Sequence, residues 1–317
     1  MNAKAAAAEL QAAPMSRAVS ARPVLGALIM LSGLAMLPGM DAVAKHLSGH
    51  LPTVEVVWAR FLFYVVAIAP IALSKYGSGA FRPARPGLQV IRGLLFASSA
   101  YCFFLAIARL PLADTMAVFF IYPLIILLAS AAILGEAIGR LRWLMVMAGF
   151  AGALLVIYAS KDQASAATMP TSQIYLGDAF ALLSGFGYAC GMMVTRRLAA
   201  HDPGLVTGVI SALVGVVLYS FAMPVVWHAP SAVDWLWMAV MGSVAALGHF
   251  LLITAHRMAT AAQLAPYGYA EIVSAIFFGL IVFGDWPRPI VWLGIAIIVA
   301  SGVAVTWSNA KLDTEGN

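Results

Sequence analysis

Charge is what this chain has least of. Only 10% of its 317 residues are charged, whereas 63% are hydrophobic, and the mean hydropathy is +0.94. A soluble domain carries about 25% charged residues. This composition cannot clothe a water-soluble surface, and burial in a bilayer is the reading that fits. Cysteine is also scarce. Cys102 and Cys190 both lie in apolar runs, which excludes a disulfide framework and a thiolate metal site. Long polar stretches are missing from the interior of the chain. The longest, 161–173, leaves no room for a soluble signalling domain. Catalytic signatures are missing as well: there is no HExxH, GxSxG or GxGD, and no glycine run carries the lysine of a P-loop. FGD at 283–285 is the nearest miss. No catalytic residue, metal-ligand set or cofactor is therefore expected. Basic clusters interleaved with aromatics are absent, so the net charge of +5 does not point to nucleic acid.

What is present is a series of apolar segments. A helix crosses the hydrocarbon in roughly 20 residues. Spans are predicted near 24–44, 54–73, 88–108, 113–134, 142–160, 174–195, 204–224, 235–255, 262–284 and 289–308. The expected fold is an all-α polytopic membrane protein of ten transmembrane helices. Residues 1–23, Ala-rich with Lys4, Arg17 and Arg22, read as a polar N-terminal tail. The apolar run after it continues to about Lys45, longer than a signal-peptide core of about 7–15 residues. Lys and Arg collect at segment ends on one side. With the N-terminus inside, thirteen fall on the inner side and four on the outer side, with Arg60 inside a span. Both termini are thus expected in the cytoplasm of a cell whose inner (plasma) membrane holds the chain. Trp227, Trp235, Trp237, Trp286 and Trp307 lie near span ends, as interfacial belts require.

The chain also repeats itself. KHLSGHLP at 45–52 matches RRLAAHDP at 196–203, YCFFLAIARL at 101–110 matches HFLLITAHRM at 249–258, and ILGE at 133–136 matches VFGD at 282–285. The offsets are 151, 148 and 149. Three matches in order at nearly constant offset predict a duplication: repeat one over 24–160, a linker at 161–173, repeat two over 174–308, and a tail at 309–317. Each repeat holds five spans. Five is odd, so the second copy enters the membrane from the opposite side. Inverted repeats are a signature of secondary transporters, whose site lies near mid-membrane between the halves.

DAVAKHL followed by VVWARFLF in the first two spans, and the proline-bearing FFIYPLIILLASAAILGE of the fourth, resemble the EamA-type transporters of the drug/metabolite transporter superfamily over roughly residues 24–308. The second copy, APYGYAEIVSAIFFGLIVFGD, departs from the pattern with Ile272 for the usual proline and Asp285 for the usual glutamate. The resemblance implies two five-helix repeats around a central cavity with alternating access, and transport of a small metabolite. The first helix is more similar to the vitamin and cofactor uptake branch, which includes riboflavin and S-adenosylmethionine importers. Efflux of amino acids or other small metabolites is the alternative. Without a nucleotide motif, transport must run on an ion gradient, on exchange or downhill. The expected partners are a small-molecule substrate, the lipid bilayer and protons as a coupling ion. A homodimer is carried as an expectation that no motif specifies.

Polar residues inside the spans nominate the site. A charge at helix centre costs about 2.5–3.5 kcal/mol on the insertion scale, so such residues face the bundle interior or a wet cavity. Asp41 and Lys45, four apart on the first helix, form either a local ion pair or a gate at the outer mouth. Pro38 and Gly39 just before them could unwind that helix. Arg60 lies too deep to snorkel easily. It needs Asp41, Asp114 or an anionic substrate group as partner. Glu271 is the acid nearest the middle of a span, and a group of that kind can take up and release a proton during transport or form a buried pair. Tyr122, Tyr267 and Tyr269 offer ring faces for a planar substrate, or simple packing. Tyr101 and His249 occupy equivalent places in the repeat, as core residues or as cavity lining. Asp178 reads as an acid at a helix N-terminus. Glu136 and Asp285 read as turn residues pairing with Arg140 and Arg288.

Overall fold

The computed structural model describes residues 23–134, 140–164, 170–259 and 264–315. Among these residues all regular structure is helical. The helices are α1 (Pro23–Leu47), α2 (Thr53–Tyr76), α3 (Pro86–Ile107), α4 (Leu112–Phe119), α5 (Tyr122–Leu134), α6 (Arg140–Ala164), α7 (Thr171–Leu198), α8 (Gly204–Ser220), α9 (Ala232–Ala255), α10 (Ala270–Phe283) and α11 (Pro289–Glu315). Proline marks many of the entries. Pro52, Pro111, Pro170 and Pro203 precede first turns, and Pro86 opens α3. A missing N–H costs nothing where the helix has no acceptor for it. Helix α9 is started by a capping box between Ser231 and Asp234.

Among the described residues, six helical stretches are long and apolar enough to cross a membrane by length and composition. Four shorter apolar ones, Trp143–Ala159, Gly204–Ser220, Tyr267–Phe283 and Pro289–Ser301, accompany them. The bundle is apolar outside, and its largely apolar interior also holds a set of polar side chains. Val24, Leu144, Phe221 and Val273 are well exposed, while Asp41, Ser99, Asp114, Thr115, Asp178 and Ser184 are buried. Lipid tails welcome such an exterior, and the chain is a multi-pass membrane protein. In lipid there is no hydrophobic drive between helices, so small residues and hydrogen bonds hold them together. On α3 and α7, Ser99 Oγ donates to the Ser184 carbonyl and Ser184 Oγ to the Ser99 carbonyl, both at 2.8 Å. Between α6 and α11, a Cβ on Gly152 would stand 2.9 Å from the Gly294 carbonyl, and one on Gly294 2.8 Å from the Gly152 carbonyl. Only glycine allows that approach from both sides.

The helix pairs form a set that maps onto itself when the two halves are exchanged. Helix α1 packs on α9 as α7 packs on α3. Helix α1 meets α10 as α7 meets α4 and α5, and α2 meets α9 as α8 meets α3. The pairs α2–α8 and α6–α11 map onto themselves. The joints sort to two ends. Residues near 45–52, 110, 228–234 and 285 meet at one end, and Ala84 and Gln89 meet Asp202 at the other. KHLSGHLP and RRLAAHDP therefore lie at opposite ends.

Four local readings need correction. Helix α1 runs unbroken through Pro38, because packing on α9 and α10 holds the turn despite the lost backbone bond. The predicted spans 113–134 and 262–284 are instead each divided. The first breaks at Phe120–Ile121 between α4 and α5, and the second is a 3₁₀ turn at Ala265–Tyr269 leading into α10. Asp178 is not at a helix start: α7 begins at Thr171, which puts it two turns in and buried. The segment 161–173 is partly helical, since α6 reaches Ala164 and α7 starts at Thr171; likewise α11 continues to Glu315. Glu136 lies outside the described residues.

Candidate functional site

The two divided segments position the site. The first break falls where α4 ends and α5 begins, the second is the 3₁₀ turn that leads into α10, and each carries aromatic residues. From the first break, Phe119 and Tyr122 close on Tyr188 of α7, with ring centroids 5.3 and 4.8 Å apart. Phe120 joins Tyr122 to Tyr269 of the second break, at 5.5 and 5.7 Å. Phe96 of α3 packs edge-on to Tyr188 at 5.2 Å. A wall of rings thus runs from α3 through α7 to both breaks. On the other side, Tyr64 of α2 meets His249 of α9 at 5.7 Å, and Tyr101 of α3 meets Tyr219 of α8 at 5.8 Å. His249 Nδ1 lies 2.8 Å from the Ala245 carbonyl. A carbonyl can only accept, so Nδ1 carries the proton and Nε2 faces away as the free ring nitrogen.

Charged groups enter the same space. Arg60 of α2 lies over the rings of Phe61 and Phe104, 5.5 Å from each centroid. Its field acts on Asp41 of α1 and on Tyr64, Tyr188, Tyr219 and His249. Arg92 of α3 lies 4.4 Å over Phe96 and donates from Nε to Thr195 Oγ1 at 2.7 Å, with further donation to the Thr207 carbonyl and Ser211 Oγ. Glu271, in the first turn of α10, acts on Tyr122 and Tyr188 and interacts with Asp41. Arg60, Tyr64, Arg92, Tyr122, Tyr188, His249 and Glu271 are all half-buried. Side chains that feel one another from α1, α2, α3, α5, α7, α9 and α10 point inward. Their partial exposure is compatible with a polar space between the helices. The arrangement offers guanidinium groups for an anionic substituent, carboxylates for a cation or a proton, and ring faces for stacking.

Most of the residues nominated by sequence meet here: Asp41, Arg60, Tyr101, Tyr122, His249, Tyr269 and Glu271. Tyr267 is 40% exposed on the 3₁₀ turn and makes none of these ring contacts. Lys45 is elsewhere, and the expected Asp41–Lys45 pair is not formed. Lys45 Nζ instead lies 3.2 Å from Asp285 Oδ2 and 2.9 Å from the Leu110 carbonyl. A tertiary carboxylate and an unpaired helix-end carbonyl outcompete the local neighbour. Asp285, read as a partner of Arg288, is thus paired with α1 instead. Sequence reasoning missed Tyr64, Arg92, Tyr188 and Tyr219. Arg92 stood among the inner-side basic residues, yet its setting VIRGLLF resembles that of Arg60 in WARFLF. That likeness was a usable signal. Among the described residues no group of three or more His, Cys, Asp or Glu could hold a metal ion.

The model of the EamA-like transporter family matches twice, over residues 24–158 and 175–307. The chain is 25% identical over 273 residues to an S-adenosylmethionine uptake transporter of Rickettsia bellii, covering 86% of this chain and 89% of that one. It is 27% identical over 301 residues to a riboflavin transporter of Vibrio cholerae, covering 93% and 97%. It is 26% identical over 278 residues to the pseudopaline exporter CntI of Pseudomonas aeruginosa, covering 84% and 90%. A crystal structure of another protein shares the fold with a TM-score of 0.63 at 18% identity, covering 91% of this chain and 99% of that one. With both stretches matched by one family model, the chain belongs to the EamA-like transporter family and is a transporter rather than an enzyme.

Proposed function

We propose that the chain takes up a small, cofactor-like solute bearing a flat ring, with riboflavin the first to test, across the inner (plasma) membrane. Ten spans form two inverted five-helix repeats with both termini cytoplasmic, and the hollow between them opens to each side in turn. The observation that carries this reading is the convergence of Arg60, Arg92, Asp41, Glu271 and the Tyr122–Tyr188 pair on one space from both halves. Likeness to a riboflavin transporter and to S-adenosylmethionine uptake transporters supports a ring-bearing solute. The exchange symmetry of the helix pairs supports the inverted repeats. Glu271 is the residue that takes up and releases a coupling proton. A riboflavin-auxotrophic host expressing the chain should grow on trace riboflavin, and the Glu271→Gln variant should not. Growth no better than the empty vector, at equal membrane expression, would exclude riboflavin.

Likeness to an exporter favours a second reading, efflux of amino acids or related metabolites. It predicts that expression lowers the intracellular pool of the solute. Measuring amino-acid release in the same strains decides between the two.

A further inference from the structure

Lys45 binds two separate parts of the molecule at one end of the bundle. Its Nζ lies 3.2 Å from Asp285 Oδ2 in the α10–α11 joint and 2.9 Å from the Leu110 carbonyl in the α3–α4 joint. It also stands 4.7 Å over the Phe283 ring at the end of α10. Asp114, buried in the first turn of α4, adds its field. The acidic partner is aimed by a backbone device. Gly284 adopts φ +71°, its N–H bonds to the Leu280 carbonyl, and the Asp285 N–H reaches back to Gly279 at 3.0 Å. That closure turns the chain back at the end of α10 and sets Asp285 toward α1.

We propose that Lys45 and Asp285 form a latch that shuts this end of the hollow, the external end on the positive-inside reading, and that it must part for the solute to pass. The latch ties the first half of the chain to the second, so the halves cannot rock apart while it holds. Two features suit it to opening. The Lys45 and Asp285 side chains are 18% and 32% exposed, so water can take over both charges as they separate. A pocket of about 240 Å³, lined by Ala113, Asp114, Asp285 and Arg288 among others, already lies beside it. A pair whose attraction is nearly balanced by the hydration it gives up can serve in a reversible switch.

This inference rests on the transport reading, but its test does not need the solute. Met116, buried a turn beyond Leu112 on α4, is changed to cysteine in a chain whose two native cysteines are replaced by serine. Cells or sealed vesicles are treated from the Lys45 side with a membrane-impermeant maleimide. Lys45→Gln and Asp285→Asn should each speed labelling at least fivefold, and the charge swap Lys45→Asp with Asp285→Lys should return the rate to within twofold of the parent. Unchanged rates in both single variants would overturn the latch. So would a swap that labels as fast as the singles while eluting as a folded monodisperse protein. Faster labelling without any solute moving, in the assays above, would keep the latch and sink the transport reading.

Discussion

The two ends of the bundle are tied by different chemistry. At the Lys45 end two ties reach solvent, the Lys45–Asp285 ion pair and the hydrogen bond of His50 Nε2 with Asp234 Oδ1 at 2.9 Å, where His50 is 46% exposed, while a third runs from the His228 N–H to Oε2 of the buried Glu55 at 3.1 Å. At the opposite end the tie is buried. Asp202 accepts from the Ala84 N–H and from Gln89 Nε2, both at 2.8 Å, and Gln89 also donates to Thr207. Gln89 and Asp202 are 0% and 7% exposed. Exposed pairs are worth little because water competes for each charge. A buried carboxylate with its donors in place is a fixed structural element, because parting them strands every group without a partner. The Lys45–Asp285 pair is the tie suited to part, and the Asp202 cluster the one that holds α3 against the α7–α8 joint.

Substitutions can break or sharpen that contrast. The largest effect is expected at the buried end. Asp202→Ala should destabilise the protein by roughly 3 kcal/mol, since a charge-assisted bond is lost and the Ala84 N–H and one Gln89 N–H lose their acceptor. A marked fall of the thermal midpoint in detergent checks it. Gly284→Ala comes next. It forces a side chain into the left-handed region at a cost of about 1–2 kcal/mol and should also loosen the aim of Asp285. Faster labelling of the Met116→Cys reporter, with a modest drop in thermal midpoint, is the expected readout. Smallest in stability is Lys45→Gln, at about 1 kcal/mol, since the Asp285 carboxylate left behind is part-exposed and can be hydrated. A loss as large as that of Asp202→Ala would erase the distinction between the ends.

The sequence revealed what depends on composition and period. Apolar segments announce helices, and a charge within one announces an interior, so Asp41, Arg60, His249 and Glu271 were legible. Three kinds of information were not. Tyrosine in an apolar helix has the same look whether it packs or lines a hollow, and Tyr188 sat in the small-residue run GFGYACG. Spacing along a helix names only local partners, so Lys45 was matched with Asp41 although its partner Asp285 lies 240 residues away. Finally, apolar periodicity runs straight through a break, and the divisions at Phe120 and Tyr269 coincide with Pro123 and Pro266, which have no N–H to continue the helix ladder.

Everything functional turns on whether the space around Tyr188 is reached from both sides of the membrane in turn. A single cysteine at Tyr188, in a background with Cys102 and Cys190 replaced by serine, can be probed with a small impermeant thiosulfonate added to right-side-out or to inverted membrane vesicles. Alternating access predicts that this mid-bundle cysteine reacts from either face. Reaction from one face only, or from neither, in protein that remains folded would contradict it.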